Sequence, residues 1–194
     1  TQDEILTLYN MRSQRQQNSF ITVDDFSRNN LDPYKLTNSP LNQISSTNPR
    51  NGQHHGQSNT DGSEKSMSFS LNGLSKYPNS GDDIYAYVYP TKPNDVLFFD
   101  WGIQGDTQTG AGSGFPEEGG YAAEIRFQSN ELNVFVDSTK LKSGNFTSDG
   151  VDRWYYYKIS WGNNGKQVAS IEDPQDSSEY ISLTFNDSQY NTGG

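Results

Sequence analysis

From Phe20 onward, hydrophobic and polar residues alternate along the chain with a period of two. The alternation is clearest at 67–71, 84–89 and 132–136. Because successive side chains of a β-strand point to opposite faces of a sheet, this pattern is typical of strands with one buried face. We therefore predict about nine strands, at 20–23, 67–71, 84–89, 96–103, 121–127, 132–136, 154–161, 168–171 and 181–185.

The connections between these segments favour an antiparallel, all-β sandwich. Asn164-Gly165, between the strands predicted at 154–161 and 168–171, is the clearest β-hairpin signal. Strands of this length separated by such turns are typical of sandwiches rather than of α/β sheets. Two stretches, 37–65 and 104–120, show no regular pattern, and loops of that length are commonly functional.

One segment at the start of the chain has a helical pattern instead. Residues 3–17 begin with acidic side chains and place Ile5, Leu8 and Tyr9 on one face. The rest of that face is polar, so the helix either packs its first turns on the domain or forms a stalk that self-associates, for example as a trimer. We divide the chain into an attachment segment, 1–20, and a sandwich domain, 21–194.

Composition and charge exclude several classes of function. The 24 acidic residues outnumber the 14 basic ones, which removes the electrostatic basis for nucleic-acid binding. No apolar run is long enough for membrane insertion. The absence of cysteine excludes disulfides, thiol catalysis and thiolate metal sites. Hydrophobic residues make up 30% of the chain but aromatic residues 13%, which argues against disorder and leaves large rings to bury or display.

Five segments, 23–34, 73–82, 119–126, 153–165 and 186–194, carry short motifs, among them Asp24-Asp25-Phe26 followed by Leu31 and Tyr34. Taken in order, these segments resemble motifs of one family, the concanavalin A-like (laminin-G-like) jelly-roll domains common in halophilic archaea and their tailed viruses. The resemblance implies a concanavalin-like antiparallel β-sandwich. The acidity suits a saline environment, and the Ser- and Asn-rich composition favours a location outside the cell. The expected partner is a surface glycan or glycoprotein.

The sequence lacks the common signatures of catalysis. Retaining glycanases of concanavalin-like fold carry a Glu-x-Asp-x-x-Glu strand, which is missing here, as is a Gly-x-Ser-x-Gly elbow. The two histidines, His54 and His55, are adjacent in a polar stretch and read as a solvated loop. We predict that the protein is not an enzyme, with a polysaccharide-degrading enzyme built from carboxylates of different strands as an open alternative.

A calcium site is a further expectation. Hard cations need six to eight oxygen ligands, which acidic turns rich in Asn and Ser can supply. The candidates are Asp24, Asp25, Asp82 and Asp83, with Asp24 or Asp25 first because related folds often tie their first strand to the last through a cation. The same carboxylates could instead cap strands as Asx-turns.

The aromatic residues provide the candidate ligand site. Tyr85, Tyr87 and Tyr89 alternate with Ile84, Ala86 and Val88, so the tyrosines share the face opposite the core face. Flat aromatic rings beside polar groups suit carbohydrates. The alternative site lies in the glycine-rich loop region, at Trp101, Asp106, Phe115, Glu117 and Glu118.

We therefore predict a glycan- or receptor-binding domain of an extracellular appendage, such as a viral fibre, spike or turret for host attachment, or a surface adhesin. The alternative is a decoration or filament subunit of a virion or cell surface, assembled through self-contacts.

Overall fold

The computed structural model describes most of the chain from residue 80 onward and the backbone of four short strands before it. Full description covers 80–104, 119–147, 150–175 and 178–192, except for the side chain of Glu179. The strands are β1 (Tyr34–Thr37), β2 (Asn42–Ser45), β3 (His55–Ser58), β4 (Ser66–Phe69), β5 (Asp83–Val88), β6 (Val96–Trp101), β7 (Tyr121–Arg126), β8 (Glu131–Val136), β9 (Thr139–Asn145), β10 (Tyr155–Ser160), β11 (Lys166–Glu172) and β12 (Glu179–Asn186).

Eight of these strands form two four-stranded antiparallel sheets. Sheet A has the order β12-β11-β10-β5, and sheet B has the order β6-β7-β8-β9. The short strands form two further pairs, β1 with β4 and β2 with β3, both antiparallel. The described part is therefore all-β, as the alternation predicts.

Sheets A and B pack face to face around one core. Phe99 of β6 lies 4.9 Å from Tyr157 of β10, measured between ring centroids, and Trp101 lies 6.5 Å from Phe185 of β12. Alternate residues of each strand enter this core because the side-chain period of a strand is two. Its buried members include Tyr155, Ile159, Ala169, Ile171 and Leu183 from sheet A and Tyr121, Ala123, Ile125, Leu132 and Val134 from sheet B.

The β10–β11 hairpin forms where Asn164-Gly165 predicts it. Gly165 has a φ of +80°, which a residue with a Cβ adopts only with strain. The side chain of Asn164 accepts a 3.1 Å hydrogen bond from the backbone N–H of Lys166. At Gly162 a Cβ would overlap the carbonyl oxygen of Lys166, so the turn also needs glycine there.

The residues after β12 close one end of the sandwich. The Tyr190 hydroxyl donates a 2.6 Å hydrogen bond to Asp137 beyond β8, and the Trp161 indole N–H donates to the carbonyl of Tyr190 at 3.0 Å. The Tyr121 hydroxyl donates to Asp187 at 2.7 Å. Burial and this bond raise the pKa of Tyr121, although the backbone N–H of Tyr190 opposes the shift. The segment therefore ties both sheets together.

Some elements differ from expectation. The sequence pattern indicates no regular structure over 37–65, but this stretch contains β2 and β3, and neither β1 nor β9 has a counterpart among the predicted strands. The predicted helix at 3–17 and the predicted strand at 20–23 lie outside the described residues. Over the described ranges, no helix has the length and apolarity needed to cross a membrane.

Candidate functional site

The outer face of sheet A carries five aromatic side chains, which we call the aromatic ladder. Tyr85, Tyr87 and Tyr89 come from β5 and the residue after it, and Tyr156 and Trp154 come from β10 and the residue before it. The register places Tyr156 directly opposite Tyr87. Since the inner-facing residues of both strands belong to the core, these five face away from it.

The ladder rings contact one another across the two strands. Tyr85 and Tyr156 stack with centroids 5.3 Å apart and an interplanar angle of 11°, and Tyr87 lies 4.8 Å from Tyr156. Tyr89 meets Trp154 edge to face at 5.2 Å. Cross-strand aromatic pairs of this kind contribute roughly 0.5–1.5 kcal/mol each beyond the area they bury. The rings are therefore held in place before any ligand arrives.

Tyr87 is the member of the ladder most open to solvent. Its side chain is 42% exposed, and it is the one exposed aromatic side chain in the part of the chain that the structure describes. Tyr87 and Tyr89 lie two residues apart on the same face, which corresponds to about 7 Å along a strand. The ladder thus offers an accessible aromatic surface beside a second ring pair.

Polar groups frame one end of the ladder. The Tyr85 hydroxyl donates a 3.0 Å hydrogen bond to Asp83, and the Lys158 ammonium lies 3.5 Å from the same carboxylate oxygen and 5.5 Å from the Tyr85 ring centroid. Burial and the bond to Asp83 raise the pKa of Tyr85 to about 12. Partial burial would raise the pKa of Asp83, but hydrogen bonds from Ser160 and Tyr85 and the charge of Lys158 outweigh it and lower that pKa.

The outer face of sheet B differs, because its central side chains are buried. Ala122, Glu124 and Asn133 are at most 3% exposed, and Phe135 is 7% exposed. The carboxylate of Glu124 accepts a 2.9 Å hydrogen bond from Asn133 and a 2.7 Å bond from Arg126. This face is not an open surface, so we place the candidate site on sheet A.

The predicted site residues separate into three groups. Tyr85, Tyr87 and Tyr89 lie together in the ladder, as their alternation indicates. Trp101 is 1% exposed and stacks on Tyr121 in the core at 5.4 Å, so its ring is closed to a ligand and it does not belong to the proposed site. The remaining loop candidates, Asp106, Phe115, Glu117 and Glu118, lie outside the described residues.

The calcium candidates form two pairs, of which one lies outside the described residues and the other lies at the start of β5. Asp24 and Asp25 lie outside the described residues, where the calcium prediction stays a prediction. Asp82 is exposed in the turn before β5, and the carboxylate of Asp83 already faces the Lys158 ammonium. In the described ranges, no group of three or more His, Cys, Asp or Glu side chains could hold a metal ion. Calcium binding at Asp82 and Asp83 likewise stays a prediction.

The sequence pattern alone does not assign Tyr156 and Trp154 to the ladder. Alternation divides β10 into two sets, but it does not say which set is buried. The structure buries Tyr155 and Tyr157 and places Tyr156 and Trp154 on the outer face, beside Tyr87 and Tyr89. The missing information was the pairing of β10 with β5, which joins distant parts of the chain.

Comparisons with known proteins find no relative of this chain. No protein-family model matches the chain, and it matches no curated protein and no solved structure.

Proposed function

We propose that this chain is a non-catalytic glycan-binding domain and that the aromatic ladder is its binding surface. The observation that carries the proposal is Tyr87, a 42% exposed ring fixed by contact with Tyr156 on the open face of a packed sheet. Sugar rings have apolar faces that pack on aromatic rings and hydroxyls that need hydrogen-bond partners. The ladder supplies the first and its polar frame the second.

The fixed geometry of the rings also favours binding. Immobilising a side chain on binding costs roughly 0.5–1.5 kcal/mol, and a side chain that is already held avoids much of that cost. Tyrosine is suited to this role because it offers a large amphipathic surface with few rotatable bonds. In the ladder, Tyr85 and Tyr156 hold each other at 5.3 Å, and Tyr156 in turn supports Tyr87.

The sequence resemblance supports a wider proposal about setting. We propose that the two packed sheets belong to a concanavalin-like jelly roll on an extracellular appendage of a virion or cell. Residues 1–20, which lie outside the described ranges, would attach the domain to that appendage and support its oligomerisation. The acidic, Ser- and Asn-rich composition is the support for an exterior location.

The proposal is tested by glycan binding with matched variants. The protein is applied to a glycan array, and the affinity for the best glycan is then measured by isothermal titration calorimetry. Tyr87→Ala should weaken binding at least about tenfold, as expected for an exposed tyrosine at the centre of a contact surface. Leu141→Ala is the control, because it removes a side chain of nearly equal exposure, 40%, from β9 of the other sheet.

Two outcomes would count against the proposal. Absence of binding to any glycan on the array would remove the function. Equal glycan affinity of the Tyr87→Ala and Leu141→Ala variants would show that the ladder is not the binding site. Circular dichroism and urea unfolding should show that both variants stay folded.

A further inference from the structure

Acidic side chains flank the aromatic ladder on two sides. Asp83 lies two residues before Tyr85 on the outer face of β5, and Glu172 of β11 stands directly opposite Tyr156. Strands in a sheet are about 4.8 Å apart, so Glu172 is next to the ladder at the strand spacing. Both carboxylates belong to the same accessible face as the exposed ring of Tyr87.

In the described part of the chain, the cations near the ladder are engaged with carboxylates. The Lys158 ammonium lies 3.5 Å from Asp83, and Arg153, the residue before Trp154, makes a 2.7 Å ion pair with Asp173. Lys166 is on β11 as well, but six residues from Glu172, which corresponds to about 20 Å along a strand. The positive charges near the ladder are thus neutralised locally, and Glu172 keeps the face negative.

We infer, on the basis of the proposed glycan-binding function, that the ladder selects uncharged sugars and rejects sugars that carry carboxylates. A ligand packed on Tyr87 would lie about two strand spacings, or roughly 10 Å, from Glu172. At that distance in water, one carboxylate weakens the binding of a unit anion about twofold. Because the charge of Lys158 offsets that of Asp83, the net charge of this face is that of Glu172, which disfavours an acidic sugar about twofold at low salt.

The electrostatic origin of this selectivity has its own signature. Screening shortens the range of these interactions to about 3 Å at 1 M salt. The ratio of the affinity for an uncharged sugar to the affinity for its acidic counterpart should therefore fall towards one as salt is added. A preference caused by shape alone would not depend on salt.

The test compares sugars that differ only in an acidic group. A glycan array carries neutral oligosaccharides beside counterparts in which one hexose is replaced by the corresponding uronic acid, and affinities for the best matched pair are measured at low salt and at 1 M salt. The wild-type protein should bind the neutral member about twofold more tightly at low salt. Glu172→Gln should reduce that ratio about twofold, and Asp83→Asn should reduce it as well.

The outcomes separate this inference from the function on which it rests. Equal or tighter binding of the acidic member overturns the selectivity while leaving a glycan-binding protein. A preference that persists unchanged in Glu172→Gln and at 1 M salt overturns its electrostatic cause. Binding of neither member overturns the proposed function and this inference with it.

Discussion

Two buried tyrosines on β10 allow a sharp test of which face of this strand forms the core. Tyr155 and Tyr157 are both 0% exposed, but their hydroxyls differ. The Tyr155 hydroxyl donates a 2.5 Å hydrogen bond to the carbonyl of Gly150. Within the part of the chain that the structure describes, the Tyr157 hydroxyl has no hydrogen-bond partner. Replacing each by Phe should therefore change stability in opposite directions.

The expected magnitudes follow from hydrogen-bond energetics. An unpaired buried hydroxyl costs about 1–3 kcal/mol, so Tyr157→Phe should raise the free energy of unfolding by roughly 1 kcal/mol or more. Tyr155→Phe removes a bond of about 1 kcal/mol net, and the exposed Gly150 carbonyl can then bond to water. For a domain of this size, 1 kcal/mol corresponds to a shift in Tm of about 2–4 °C.

Urea unfolding of the wild type and the two variants measures both effects under the same conditions. Equal slopes of free energy against urea concentration would show that the change is in stability and not in the unfolded state. A Tyr157→Phe variant that is destabilised as much as Tyr155→Phe would refute the reasoning. That result would mean that the Tyr157 hydroxyl is satisfied or that β10 turns the other face inward.

Two further predictions concern the edges of the sandwich. The backbone N–H of Gln175 donates a hydrogen bond to Asp173, and together with the Arg153 ion pair it lowers the pKa of this carboxyl group. The Asp173 carboxylate should therefore contribute stability above about pH 4, the pKa of an unfolded Asp, and this contribution should vanish as the pH falls through the lowered pKa. Asp173→Asn should therefore be less stable than wild type at pH 7, and in thermal unfolding this difference should shrink as the pH falls below about 4. Gly119 and Gly150 have φ values of +98° and +95°, but only at Gly119 would a Cβ overlap the Tyr190 hydroxyl. Gly119→Ala should lower Tm clearly more than Gly150→Ala, and equal losses would exclude the Tyr190 contact as the cause.

The strands with one buried face could be predicted from sequence because alternation is a local property. It assigned Tyr85, Tyr87 and Tyr89 to the outer face, which the structure confirms. The same alternation also places Trp101 on the inner face of β6, in phase with Leu97 and Phe99. Its position just before the glycine-rich loop suggests a site residue, but its phase along β6 places its ring in the core, where it is buried.

Three of the strands that escaped prediction, β2, β3 and β9, have little hydrophobic alternation. Residues 139–143 of β9 are all exposed, so pairing with β8 defines this strand and no burial pattern marks it. β2 and β3, each four residues long, consist mainly of polar and small residues. The sequence alone also does not predict the complete ladder, because Tyr156 and Trp154 join it only through the register of β10 against β5. Such long-range pairing depends on the whole fold.

The most direct test of the aromatic ladder as a glycan-binding surface uses the indole N–H signals in the NMR spectrum. The chain has three tryptophans, of which Trp101 and Trp161 are each 1% exposed in the core and Trp154 lies in the ladder against Tyr89. Titration with the best neutral glycan from the array should shift the indole signal of Trp154 and leave the other two in place. A bound glycan that leaves the Trp154 signal unchanged would contradict the account.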